Sequence, residues 1–263
     1  MYEIVALVRL DPAIAARVLQ MGNSAFFSNG TRCFTVEEAV NRVGYTQVYD
    51  MVSYAVASQV LVRPLEVYGL EADDLWKLSV ACALAAEILA VRTGQDRDVA
   101  YTVGLLHSIG MVVIDEWALR QQRHLVFPSM GFPRETIEAE RALLGFTQAD
   151  AGSALLQHWG FPRLMCEPVR WQYAPRASAA QARMACLLHC AKWLRSVACA
   201  DGTAERPPLP HESVLQLIPL GKGELPSLVG EVQRRLQDVS SLLETGQTER
   251  GVRSHRFPVK PTH

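Results

Sequence analysis

His107 is the chemistry-bearing residue in the most apolar surroundings. It lies inside Val99 to Ile114, a stretch without a charged side chain. Imidazole in such a setting is a core residue, a ligand or a proton carrier. Its neighbour is Ser108, whose neutral hydroxyl is a poor ligand for a divalent cation beside a carboxylate. The next carboxylate downstream is Asp115, about two helical turns away. Cys186, His189 and Cys190 also fall together at helical spacing, but a structural zinc site needs a fourth ligand that the sequence does not supply. Gly221-Lys222-Gly223 lacks the spacing of a phosphate-binding loop and follows no strand pattern. The remaining Ser, His and Asp residues stand in no nucleophile-elbow context.

A chain of 263 residues suits one large or two modest domains. With 49 % hydrophobic and 20 % charged residues it can bury a core without disulfide or metal staples. A formal net charge of −1 argues against nucleic acid or an anionic membrane as partner. Six cysteines without a CxxC or a regular framework read as reduced thiols, which places the protein in the cytoplasm. Met1-Tyr2-Glu3 does not open a secretory leader. Val99 to Ile114 is shorter than the ~20 residues a bilayer requires and reads as a buried core helix.

The punctuation that positions these residues is helical. Asp11-Pro12 starts one helix, with Ile14, Val18 and Met21 on one face and Gly22 as its stop. Thr35 to Glu38 is a capping box for a helix ending near Gly44, and Thr46 can start the next, through Val48, Val52, Ala55, Val56 and Val60. Asp73 or Asp74 starts a long helix with Leu75, Leu78, Cys82, Ala86 and Leu89 as its apolar face, closed by Gly94. Asp98 starts the helix leading to His107. Further helices are expected from Pro133 to Gly145, Thr147 to Trp159, Pro162 to about Ala174, Ala179 to Ala200, His211 to Ile218 and Leu225 to Leu243. No alternating strand pattern is present, so the expected class is all-α, with an N-terminal helical bundle packed on a second helical domain. The expected division is 1–66, 67–200, a helical extension 201–244 and a disordered basic tail 245–263 carrying Arg250, Arg253, Arg256 and Lys260.

Asp11-Pro12-Ala13-Ile14, followed by Asn23-Ser24-Ala25-Phe26, resembles the opening signature of the HDOD family. Val36 to Val40 with Val43-Gly44, Leu75-Trp76-Lys77-Leu78-Ser79 and Gly104 to Gly110 are similar to its next landmarks. Glu140 to Gly145, Gly152, Trp159 to Pro162 and Arg170 to Pro175 continue in the expected order. The resemblance runs from about residue 3 to about residue 200. The family pattern usually has a further helix before the position of Met1. The resemblance implies an HD-like fold, related to the HD-type metal phosphohydrolases, and a bacterial signalling or regulatory role.

It also implies where metal ligands would stand. Leu78 occupies a histidine position, and Ser108 follows His107 where an aspartate belongs. Gln148 and the Gln172-Tyr173 pair replace further histidines, and Lys192 replaces a late aspartate. An ammonium repels a divalent cation and has no lone pair to offer. The resulting expectation is no metal, no cofactor and no catalytic residue. The protein would be a non-catalytic signalling module that docks a protein partner, with neither nucleic acid nor membrane. Two readings of His107 stay open: a core histidine held by hydrogen bonds, or part of a vestigial pocket. In the second, His107, Ser108, Gln148, Gln172 and Lys192 would bind a nucleotide or other anionic ligand. A residual phosphohydrolase is the third functional alternative. Asn23 reads as a turn-closing residue, with a partner-contact surface as its functional alternative.

Overall fold

The computed structural model describes residues 2–28, 30–48, 64–127, 133–200, 206–221 and 223–253. Most of the segment expected to run on from Thr46 through Val60 lies outside the described residues. The described architecture is all-α, with a single backbone bridge between Leu65 and Leu70.

The N-terminal bundle begins with α1 (Tyr2–Arg9) and α2 (Pro12–Gly22). The Asp11 carboxylate accepts the backbone N–H groups of Ala13 and Ile14, and Pro12 supplies a φ already suited to the first turn. Gly22 is the last helical residue rather than a left-handed stop. A Cβ there would lie 3.2 Å from the Ala39 Cβ, so glycine lets α2 rest on α3 (Val36–Val43). The Thr35–Glu38 capping box opens α3 as its spacing predicts. Asn23 is buried and binds Cys33 twice, donating to its carbonyl and accepting its N–H at 2.8 Å. That pair closes the loop between α2 and α3.

The second part is organised on α4 (Ala72–Thr93). It starts after Glu71, with Asp74 reaching back to the Glu71 N–H, so Asp73 and Asp74 lie inside the first turn instead of capping it. Its apolar face is wider than the expected stripe: every residue from Ala81 to Ala90 is buried. A helix that is buried all round carries little amphipathic signal. α5 (Arg97–Leu106) packs along it. Asp96, not Asp98, caps α5, because its carboxylate accepts from the N–H groups of both Asp98 and Val99. At Gly104 the approach is so close that a Cβ would meet the Ala83 Cα and the Cys82 carbonyl at 2.8 Å.

Past His107 and Ser108 the chain resumes as α6 (Ile109–Arg120), followed by α7 (Pro133–Leu144), α8 (Gln148–His158) and α9 (Arg163–Arg170). Arg97 to Arg120 is long and apolar enough to cross a membrane by length and composition, but it is broken at His107–Ser108 and 72 % of its most apolar part is buried in the fold. α6 crosses α8 at Gly110, where a Cβ would overlap the Gln148 carbonyl. α10 (Ala182–Ala198) covers α4 and is itself buried from Met184 to Leu188. The short turns α11 (Glu212–Leu215) and α12 (Glu224–Ser227) lead to α13 (Val229–Arg253). α13 passes the expected end at Leu243, so the helix includes the first part of the segment expected to be disordered. Ser241 to Arg253 contains no proline, and its glycines weaken a helix without ending it. Residues 254–263 lie outside the described residues.

Two salt-bridged arginines fasten the ends of the fold to α4. Glu87, 6 % exposed, accepts from Arg9 of α1 at 3.0 Å and from Arg235 of α13. Arg9 also lies 4.1 Å from the Tyr101 ring centroid and pairs with Asp98.

The crossing at Gly110 sets a sharp expectation. Gly110→Ala should lower unfolding free energy by about 3 kcal/mol, because the helices must separate. Gly223→Ala, in open space, should change it little. Urea denaturation of the two variants measures the difference.

Candidate functional site

The five residues singled out by sequence come together where α5 ends, against α8, the segment after α9, and α10. His107, Ser108, Gln148, Gln172 and Lys192 each expose 7 % or less. His107 ends α5, and its Nδ1 lies 2.7 Å from the Gly104 carbonyl oxygen. A carbonyl only accepts, so Nδ1 carries the proton and Nε2 carries the lone pair. That lone pair is taken by Nη1 of Arg195 at 2.9 Å. Both contacts suit the neutral ring. Burial holds the His107 pKa well below the usual histidine range, helped by the Arg195 and Lys192 charges.

Gln172 links the parts. Its amide N–H groups go to the carbonyls of His107 (3.0 Å) and Val169 (2.9 Å), and its Oε1 accepts from Lys192 Nζ at 2.7 Å. Lys192 Nζ also lies 3.4 Å from the centroid of the Tyr173 ring, within cation–π range. Burial, then the Arg195 charge, holds the Lys192 pKa well below the usual lysine range. Gln148 donates its side-chain amide to the Tyr173 hydroxyl at 2.5 Å, and its backbone N–H goes to Glu140 at 2.7 Å. Glu140 is fully buried, accepts the Tyr68 hydroxyl at 2.8 Å, and is pushed above the usual carboxylate range by burial. Ser108 pairs with Ser79 of α4 at 3.1 Å.

This donor set does not fit a divalent cation. The imidazole nitrogen that could bind metal faces a guanidinium, an ammonium stands one helical turn away on α10, and Leu78 packs beside the small cluster built on Leu65, Val67 and Tyr68. Asp115 is buried, but it accepts the Val67 N–H at 2.9 Å. Among the described residues, no three His, Cys, Asp or Glu side chains gather as a metal site. His189 of the Cys186–His189–Cys190 group points Nδ1 at the Gln172 carbonyl at 2.9 Å.

Sequence reasoning missed Arg195, Ser79 and the Glu140–Tyr68 pair. Arg195 had a readable signal. It is one turn beyond Lys192, and positions 191, 198 and 199 are Ala, Ala and Cys, so no acidic residue on the helix balances it. Ser79 and Glu140 stand in landmarks that carry the resemblance, but their pairing with Ser108 and Tyr68 joins distant segments and left no local signal.

The pKa directions carry a sign. A histidine held neutral in the native state binds its proton more readily when unfolded, so unfolding becomes easier as pH falls below about 6.5. The contribution of His107 reaches about 1.4 kcal/mol per pH unit. His189, also lowered by burial, adds in the same direction. His107→Gln should keep the Gly104 and Arg195 contacts and reduce the stability lost between pH 7.5 and 5.5 by about 1 kcal/mol. Denaturation at the two pH values reads this out.

A family model described as HDOD domain matches residues 1–175. The match stops before α10, so Lys192 and Arg195 lie outside it. An uncharacterized protein of Treponema pallidum (strain Nichols) is 30 % identical over 182 residues, covering 65 % of this chain and 33 % of that protein. The chain thus spans about a third of the length of that curated relative. The MmoQ response regulator of Methylococcus capsulatus (strain Bath) aligns with a TM-score of 0.62 and 21 % identity, over 86 % of this chain and 87 % of that one. An HDOD domain protein of unknown function from Geobacter sulfurreducens aligns with a TM-score of 0.51 and 19 % identity, over 89 % and 84 %.

Proposed function

The chain belongs to the HDOD domain family, and from that premise we propose that it is a non-catalytic regulatory module of the bacterial cytoplasm that transmits a signal by docking to another protein. The observation that carries this reading is the Arg195–His107 hydrogen bond. Phosphoester hydrolysis in an HD-like site depends on a metal-bound water as nucleophile. Here the lone pair that would hold the metal accepts from an arginine, and the guanidinium charge repels a cation. Ser108 is turned to Ser79, and Gln148 to Tyr173, so neither is poised on a reacting group. A response regulator among the proteins of similar fold supports the regulatory side of the reading.

The deciding experiment is hydrolysis of bis(p-nitrophenyl) phosphate and of cyclic dinucleotides with added Mn, Fe or Mg, on protein purified without chelator or immobilised metal. Turnover should not exceed the buffer rate, and bound metal should stay far below one equivalent. Metal-dependent turnover that disappears in His107→Ala would overturn the proposal.

A further inference from the structure

Lys192, which is buried, and Arg195, which is half-buried, form a basic pair without acidic counterpart. They stand one turn apart on α10 with their charged ends turned to the same cluster. Neither makes an ion pair with any described carboxylate. The carboxylate that acts on Lys192 is Glu140, already engaged by the Tyr68 hydroxyl and the Gln148 N–H. The partners of the pair are neutral: the Gln172 amide oxygen, the Tyr173 ring face and the His107 imidazole. One donor is left over, since Arg195 Nε is buried and has no hydrogen-bond partner.

A guanidinium stays protonated at any physiological pH. Placing an ammonium beside it away from water is unfavourable unless negative charge is added or the proton is lost. An orphaned guanidinium N–H next to an ammonium is the donor set that holds small anions in proteins. We propose that this cluster binds one small inorganic anion, a halide or a tetrahedral oxyanion, between Arg195 Nε and Lys192 Nζ. The occupant is small because Lys192 Nζ is already hemmed in by Gln172 Oε1 at 2.7 Å and the Tyr173 ring centroid at 3.4 Å. A nucleoside would have to displace Tyr173 and break its bond to Gln148. The anion supplies the charge that the absent carboxylates do not, and it fixes the end of α10 against the end of α5. The inference is independent of the docking reading above, which stands or falls on partner binding and absence of turnover.

The test is the melting temperature of the full chain at constant ionic strength and pH 7. Potassium glutamate, whose anion is too large for the site, is exchanged for potassium phosphate, sulfate or chloride. Above saturation the wild type should gain about 3–5 °C per tenfold rise in at least one of the three. Arg195→Leu and Lys192→Met should lose that gain. An equal gain in both variants, or none in the wild type, overturns the proposal. Chloride-35 linewidths on the wild type provide a readout that needs no variant. Broadening that competes away with phosphate or sulfate supports the site, and linewidths unchanged by the protein count against it. Which anion gives the gain separates a halide site from an oxyanion site.

Discussion

The burial of α4 on every side constrains everything else. Between Ala81 and Ala90 it carries mostly small side chains, and α5, α10, α2 and α13 all reach it. Small residues let neighbours come close, and Gly104 takes that to its limit, with α5 lying against α4 backbone. Close-packed helices leave no slack for an altered register. The end of α5 is therefore fixed, and His107 with it. The polar cluster is a consequence of this apolar packing: the side chains at the helix ends meet in the one place their backbones allow.

At that place Lys192 and Arg195 meet neutral partners: the Gln172 amide, the Tyr173 ring and the His107 imidazole. Each replaced side chain has found a partner: Gln172 spends every polar atom, Ser108 has Ser79, and Lys192 has Gln172 and Tyr173. Buried polar bonds of this kind rigidify a core, although Gln148 Oε1 and Arg195 Nε in the same cluster have no partner among the described residues. The network joins four segments, and its directional bonds specify how they meet.

Much of this was legible in the sequence where the cause is local. Thr35 and Thr147 cap their helices through residues three positions on, and Gly94, Gly145 and Gly160 end theirs with positive φ. Asp96 was harder, because Asp98 two residues later offers the same chemistry and only the backbone geometry chooses between them. The face of α4 was underestimated for a physical reason: periodicity reports the contrast between two sides, and a helix buried all round has none. The resemblance drew attention to Lys192 and Gln172, and the structure joins them through the Lys192 Nζ to Gln172 Oε1 hydrogen bond. Arg195 showed only as an unbalanced charge one turn beyond Lys192; its partner, the lone pair of a histidine far away in the chain, did not show. Glu140, held by Tyr68 from before α4 and Gln148 at the start of α8, belongs to the same class of long-range fact.

Glu87 gives the topology a temporal side. Its carboxylate receives Arg9 from the first helix and Arg235 from the last, so segments separated by most of the chain converge on one buried acceptor. Neither arginine has a comparably buried partner until α4 has formed, and each contact closes a long loop. Contacts of such sequence separation are made late and slow the search for the native state. The first and last helices are thus tied to each other's fate through one carboxylate on the helix between them, although no hydrogen bond joins the two arginines directly.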